Sequence, residues 1–127
     1  MLALIVDDSR TMRLVLKKIL NEVGFEVSEA GDGSEALIRL KELDRVDLML
    51  VDWNMPVMDG LEFVRAVRQD NAYDEVPVMM VTTEDTMDRV VEALNAGANE
   101  YVMKPFTSES IIEKLEILDL LTGQFEQ

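Results

Sequence analysis

The residues best able to do chemistry stand directly after short apolar runs. Asp7 and Asp8 follow Leu2–Val6, Asp52 follows Leu48–Val51, Thr82 and Thr83 follow Val78–Val81, and Lys104 follows Tyr101–Met103. If those runs are parallel strands of one sheet, the polar residues share its carboxyl edge, where open α/β sheets bind ligands. Three carboxylates meeting there cannot all stay ionised unaided, because two like charges about 4 Å apart cost roughly 4 kcal/mol at an effective dielectric of 20. Either a pKa rises or a cation sits among them. Oxygen ligands without imidazole or thiolate favour a hard ion such as Mg2+ or Mn2+. Such an ion attracts phosphate, leaving Lys104 to neutralise one phosphoryl oxygen and Thr82 to donate a hydrogen bond to another. Asp52, held beside a metal and a lysine, is then the natural nucleophile and would form an acyl phosphate.

That chemistry requires elements that bring the strand ends together. Leu2–Val6 and Leu48–Val51 are unbroken apolar runs, as expected of strands buried on both faces. Met12, Val15, Leu16, Ile19, Leu20 and Val23 recur at helical spacing until Gly24. Phe25–Glu29 alternates as a half-exposed edge strand, and Ala36, Leu37, Leu40 and Leu43 mark a second helix. Beyond Asp52, Pro56 stiffens the chain, and Asp59 with Glu62 predicts a capping box opening a third helix through Leu61, Val64 and Val67. Met87, Val90, Val91 and Leu94 predict a fourth helix capped by Gly97, and Thr107 caps a fifth through Ile111, Ile112, Leu115 and Leu118. Strands alternating with helices imply a mostly parallel sheet with right-handed crossovers covering both faces.

At 127 residues, with 48% hydrophobic and 30% charged content, the chain is expected to form one domain spanning 1–127. A net charge of −14 argues against direct nucleic-acid binding. With no cysteine, disulfides and thiolate chemistry are excluded. With no histidine, any imidazole phosphodonor must come from a partner. The apolar run at the N-terminus is too short for membrane insertion, so a cytoplasmic location is expected.

Taken in order, Asp7-Asp8, Asp52 followed by Asn54-Met55-Pro56 and Asp59-Gly60, Thr82, and Lys104-Pro105 resemble the signature of response-regulator receiver domains along the whole chain. Among these, DWNMP at Asp52–Pro56, VTTE at Val81–Glu84 and AGANEYVMKPFT at Ala96–Thr107 are similar to the single-domain chemotaxis regulators of the CheY type. The resemblance implies a flavodoxin-like, five-stranded parallel sheet in the order 2-1-3-4-5 with five helices. It implies a phosphoacceptor switch rather than a turnover enzyme, with Asp52 taking a phosphoryl group from a histidine kinase. Asp7, Asp8, Asp52 and the main-chain carbonyl of Asn54 would hold the metal. Lys104, Thr82, Thr83 and Tyr101 would contact or respond to the phosphate, and Asn54 and Glu84 would tune its loss. Asp85, Val90, Tyr101, Met103 and Lys114 would lie on an output face for a protein target, a flagellar switch protein if the role is chemotaxis. The Lys104–Pro105 bond is expected to be cis.

Other readings compete. A receiver serving a phosphorelay outside chemotaxis would have the same site. A haloacid-dehalogenase-type phosphatase also uses an aspartyl nucleophile, but wants an acid where Asn54 stands. A flavodoxin-like FMN module would place phosphate after strand one, against Asp7-Asp8. Ser9, where the CheY pattern has an aromatic after the acidic pair, and the charged Asp85, where it has a small residue, depart from that pattern. Trp53 is expected to be partly exposed beside the site. The chain is expected to be a monomer, and the apolar Ile117, Leu120 and Leu121 suggest a partner surface or a dimer formed on phosphorylation.

Overall fold

The computed structural model describes residues 1–121. Five strands, β1 (Leu2–Val6), β2 (Glu26–Ala30), β3 (Leu48–Val51), β4 (Val78–Thr82) and β5 (Glu100–Met103), alternate with α1 (Arg10–Glu22), α2 (Gly33–Glu42), α3 (Gly60–Arg68), α4 (Met87–Ala96) and α5 (Ser108–Ile117). All neighbouring strands pair parallel, in the order β2-β1-β3-β4-β5. Successive strand residues face opposite sides, so the inner strands must be apolar on both. Leu4, Val6, Met49, Val51 and Met80 pack with Ala36, Leu40, Phe63, Val64 and Val67 of α2 and α3. On the other face Ile5, Leu48, Leu50, Met79 and Val81 pack with Leu16, Leu20, Ile111 and Leu115 of α1 and α5. Each fully buried side chain of this size contributes about 1.5–3 kcal/mol.

The helix starts follow capping chemistry. Asp59 accepts from the Glu62 N–H at 2.9 Å while Glu62 accepts from the Asp59 N–H at 3.0 Å, the expected capping box. Thr107 caps α5, but α4 is capped by Thr86, not by Thr82 or Thr83. Strand β2 begins one residue later than its alternation suggests, because the Phe25 N–H donates to the Leu20 carbonyl and closes the end of α1. After α5 the chain turns at Asp119, with φ of 64°, and returns Leu121 to the core; only Ile117 of the three extra apolar residues is fully at the surface.

Helix α4 departs most from its pattern. Met87, Val91 and Leu94 are exposed, and the buried residue of the helix is Ala93. A small residue at the contact lets the helix lie close, leaving its apolar stripe turned outward. At the amino edge of the sheet, Arg68 donates to the carbonyls of Gly97 (3.0 Å), Tyr73 (2.7 Å) and Val76 (2.8 Å) and to Asn99 Oδ1 (2.9 Å). Among the described residues, no helix is long and apolar enough to cross a membrane.

Candidate functional site

The polar residues converge because the sheet's ladder continues past the strands. The Asp7 N–H donates to the Ala30 carbonyl at 3.1 Å, the Asp52 N–H to Val6 at 2.9 Å and the Lys104 N–H to Thr82 at 2.9 Å. The backbone of the site is thus fixed by the same hydrogen bonds that build the sheet. Behind Asp52 the loop turns back on itself, with the Gly60 N–H donating to the Trp53 carbonyl at 2.9 Å. A Cβ on Gly60 would lie 2.1 Å from the Asp52 carbonyl oxygen, so only glycine fits there. In the same loop Val57 has φ of 67°, a conformation a β-branched residue rarely adopts.

At this edge Lys104 Nζ lies 2.8 Å from Asp7 Oδ2 and 3.2 Å from Asp52 Oδ2. Asp7 is 1% exposed and Asp52 8%, while Thr82 beside them is fully buried. Burial pushes the Asp7 carboxyl above its usual range, against the hydrogen bonds from Lys104 and the Ser9 N–H. Burial alone would lower the Lys104 amine, but the hydrogen bond to Asp7 and the charge of Asp52 more than reverse this and raise it. The raised amine marks a site with more carboxylates than cations. Asp8 is exposed, and one oxygen each of Asp7, Asp8 and Asp52 lie within 4.8 Å of one another. Three hard oxygen donors within chelating distance, one open to solvent, fit a Mg2+-like cation.

A model of the response regulator receiver domain matches residues 3–116 of this chain. The chain belongs to the response-regulator receiver family. It is 46% identical over 116 residues to the chemotaxis protein CheY1 of Helicobacter pylori strain J99, spanning 91% of this chain and 94% of that protein. It is also 46% identical over 114 residues to the chemotaxis protein CheY homolog of Campylobacter jejuni strain 81-176, covering 89% of this chain and 88% of the relative. Among solved structures, the chemotaxis response regulator CheY4 of Vibrio cholerae superposes with a TM-score of 0.86 at 38% identity, over 92% of this chain and 97% of that one. The chain is therefore a receiver of two-component signalling, related to the CheY chemotaxis proteins.

Within this receiver, Asp7, Asp8, Asp52, Thr82 and Lys104 come together as their positions predict. Thr83, next to Thr82, is exposed instead. The Asn54 side chain donates to Glu84 Oε2 at 2.8 Å, and the half-buried Tyr101 donates its hydroxyl to the Glu84 carbonyl at 2.6 Å. Burial, and then the charge of Glu84, push the Tyr101 hydroxyl up to about 12. Asp85 and Met103 are exposed, Val90 is half-buried, and Lys114 pairs with Glu100 at 2.9 Å. The Lys104–Pro105 bond is cis. Trp53 is buried, contrary to the expectation of partial exposure, because it packs into the core cluster on the α2–α3 face, and the Arg89 guanidinium lies over its ring at 5.1 Å. Arg13 was not legible as a rim residue: its guanidinium donates to the Asp7 carbonyl at 2.6 Å and pairs with Glu29 at 3.0 Å. A cation one helical turn past an acidic pair was its only signal. Ser9, the departure from the usual aromatic, serves as the N-cap of α1.

Proposed function

We propose that this receiver is a phosphoacceptor switch in which Asp52 takes a phosphoryl group from a phosphohistidine on a histidine kinase. A carboxylate oxygen of Asp52 forms the bond to phosphorus, and the bond from phosphorus to the donor imidazole breaks, its electron pair returning to the ring. The observation that most supports this is the Lys104 amine, which reaches both Asp7 and Asp52 in a buried pocket. That amine is placed to transfer its hydrogen bond to a phosphoryl oxygen, with the buried Thr82 hydroxyl as a second donor. Asp7, Asp8, Asp52 and the main-chain carbonyl of Asn54 would hold Mg2+ or Mn2+, which would supply charge neutralisation for the phosphoryl oxygens.

In this reading the protein is a signalling switch rather than a turnover enzyme, working as a monomer in the cytoplasm. Its output passes through the face formed by α4, β5 and α5. The exposed Met87, Val91 and Leu94 of α4 and Met103 of β5 give that face an apolar surface suited to a protein target. Tyr101 and Thr82 both bond to Glu84, so a phosphate drawing Thr82 inward would release Tyr101 toward the core and bias the face between two states. Chemotaxis is the role the sequence likeness favours, with a flagellar switch protein as target. The charged, exposed Asp85 at the head of α4 is the position where a target outside chemotaxis would be distinguished.

Intact mass after incubation with acetyl phosphate tests the site. The expected result is a Mg2+-dependent gain of a single phosphoryl group by the native chain and none by Asp52→Asn. An equal gain by Asp52→Asn would remove Asp52 from its role.

A further inference from the structure

Glu84 stands where three segments meet over Asp52. Its N–H donates to Thr82 Oγ1 at 3.3 Å, its carbonyl accepts from the Tyr101 hydroxyl, and its carboxylate accepts from Asn54 Nδ2. The cation paired with that carboxylate is Arg89, whose Nε lies 3.5 Å from Glu84 Oε1. The same guanidinium covers the Trp53 ring and is shared with Glu92 at 3.4 Å. Trp53 directly follows Asp52, and Asn54 follows Trp53. One side chain from the first turn of α4 therefore ties together the loop that carries the acceptor and the loop that carries the switch hydroxyl.

We propose that Arg89 is a positioning residue that sets the lifetime of phosphorylated Asp52. By holding Glu84 against Asn54 while it covers Trp53, Arg89 keeps the two loops closed and limits the approach of hydrolytic water. The inference rests on the phosphoacceptor reading of Asp52 and adds the element that governs the return step. In that step a water oxygen bonds to phosphorus, the bond from phosphorus to the Asp52 carboxylate breaks with its electron pair returning to the carboxylate, and both of the water's protons leave with the phosphate as dihydrogen phosphate. Arg89 touches none of these atoms; it acts through Glu84, Asn54 and Trp53.

The chemistry of the contacts sets the size of the effect. Exposed ion pairs and exposed cation–π contacts are each weak, so closure is partial, and its loss changes the rate by about threefold to tenfold rather than by orders of magnitude. A lysine at this position retains the charge for Glu84 but lacks the flat guanidinium that stacks on an indole. Arg89→Lys therefore falls between the native chain and Arg89→Ala.

The test uses the full chain, phosphorylated with acetyl phosphate and Mg2+, freed of the donor, and followed by intact mass as the phosphoryl group is lost. Arg89→Ala is expected to lose it about threefold to tenfold faster and Arg89→Lys by an intermediate factor. In a Glu84→Gln background, Arg89→Ala is expected to accelerate the loss by a smaller factor than in the native chain, because only the cover of Trp53 is left to remove. Trp53 is the single tryptophan, so acrylamide quenching of its fluorescence reports the loop directly. Quenching should increase in Arg89→Ala while the thermal midpoint stays near that of the native chain. An unchanged lifetime in Arg89→Ala, or the same acceleration with Glu84 already replaced, would overturn the proposal while leaving Asp52 as acceptor. Failure of the native chain to label at all would overturn both.

Discussion

The two edges of the sheet solve opposite problems with similar residue types. At the amino edge, the single guanidinium of Arg68 is met by three main-chain carbonyls and one side-chain oxygen, all neutral. Asn99 Oδ1 accepts from the Val78 N–H as well, so the start of β4 is stitched to the turn before β5. On the same edge Asp47 accepts from the Leu2 N–H at 2.8 Å and pairs with Arg45. Polar groups there are consumed by the fold. At the carboxyl edge, three carboxylates cluster where one amine pairs with only two of them, Asp7 and Asp52, and Asp7 is raised by its burial. One edge is saturated and holds the protein together; the other is left short of positive charge, which in the proposed function a cation and a phosphoryl group would complete. Stability and responsiveness are separated along the strand direction.

Substitutions can test that separation. Arg68→Ala should cost about 3 kcal/mol in urea unfolding, because it leaves several carbonyls at the amino edge without a donor. Arg68→Lys should recover little of it, since one amine cannot span the four acceptors. Labelling of Asp52 should persist in whatever fraction stays folded. If Arg68→Ala changes stability by less than about 1 kcal/mol, the amino edge is not the anchor.

At the carboxyl edge the sign should reverse. In the absence of divalent metal, Asp8→Asn should raise stability by under about 1 kcal/mol, because it removes a like charge from a partly solvated cluster. The native chain is expected to gain thermal midpoint in millimolar Mg2+, and the same variant should lose that gain. A metal-free Asp8→Asn that is less stable than the native chain would erase the contrast between the edges.

The smallest effect concerns Tyr101, which borders the responsive edge. Its hydroxyl is raised from 10.0 to about 12, first by burial and then by Glu84. Because the folded value exceeds the unfolded one, the neutral phenol stabilises the fold fully below about pH 10. That contribution falls as pH rises toward 12, and it should be absent from Tyr101→Phe. Urea midpoints of the two chains should therefore converge across this window, and parallel curves would count against it.

Much of the site was legible because chemistry and strand ends coincide in the sequence. Asp7, Asp52 and Lys104 each follow an apolar run, and the parallel ladder carries them into register one residue beyond it. The Asp59–Glu62 capping box was readable for a similar reason, being a local exchange of hydrogen bonds between residues three apart. What spacing does not encode is the direction in which a helix turns its stripe. Met87, Val91 and Leu94 have the period of a buried face, yet α4 rests on Ala93 and shows them to solvent. Trp53 packs into the core and lies under an arginine thirty-six positions away in the chain, contacts made by tertiary structure alone. Leu121 regains the core through the turn at Asp119, where neither residue type signals a left-handed backbone strongly.

The glycine that opens α3 has a mechanical meaning. With 2.1 Å between its missing methyl and the Asp52 carbonyl oxygen, helix and acceptor backbone touch with no compressible layer between them. They form a stiff joint. A push on the Asp52 main chain cannot be absorbed locally and would have to move a helix whose Phe63, Val64 and Val67 are locked in the core. Asp52, the proposed acceptor, is thus an anvil rather than a spring. In the proposed switch, motion started there would be diverted to the parts facing it, the Thr82 hydroxyl, the loop of Glu84 and the side chain of Tyr101.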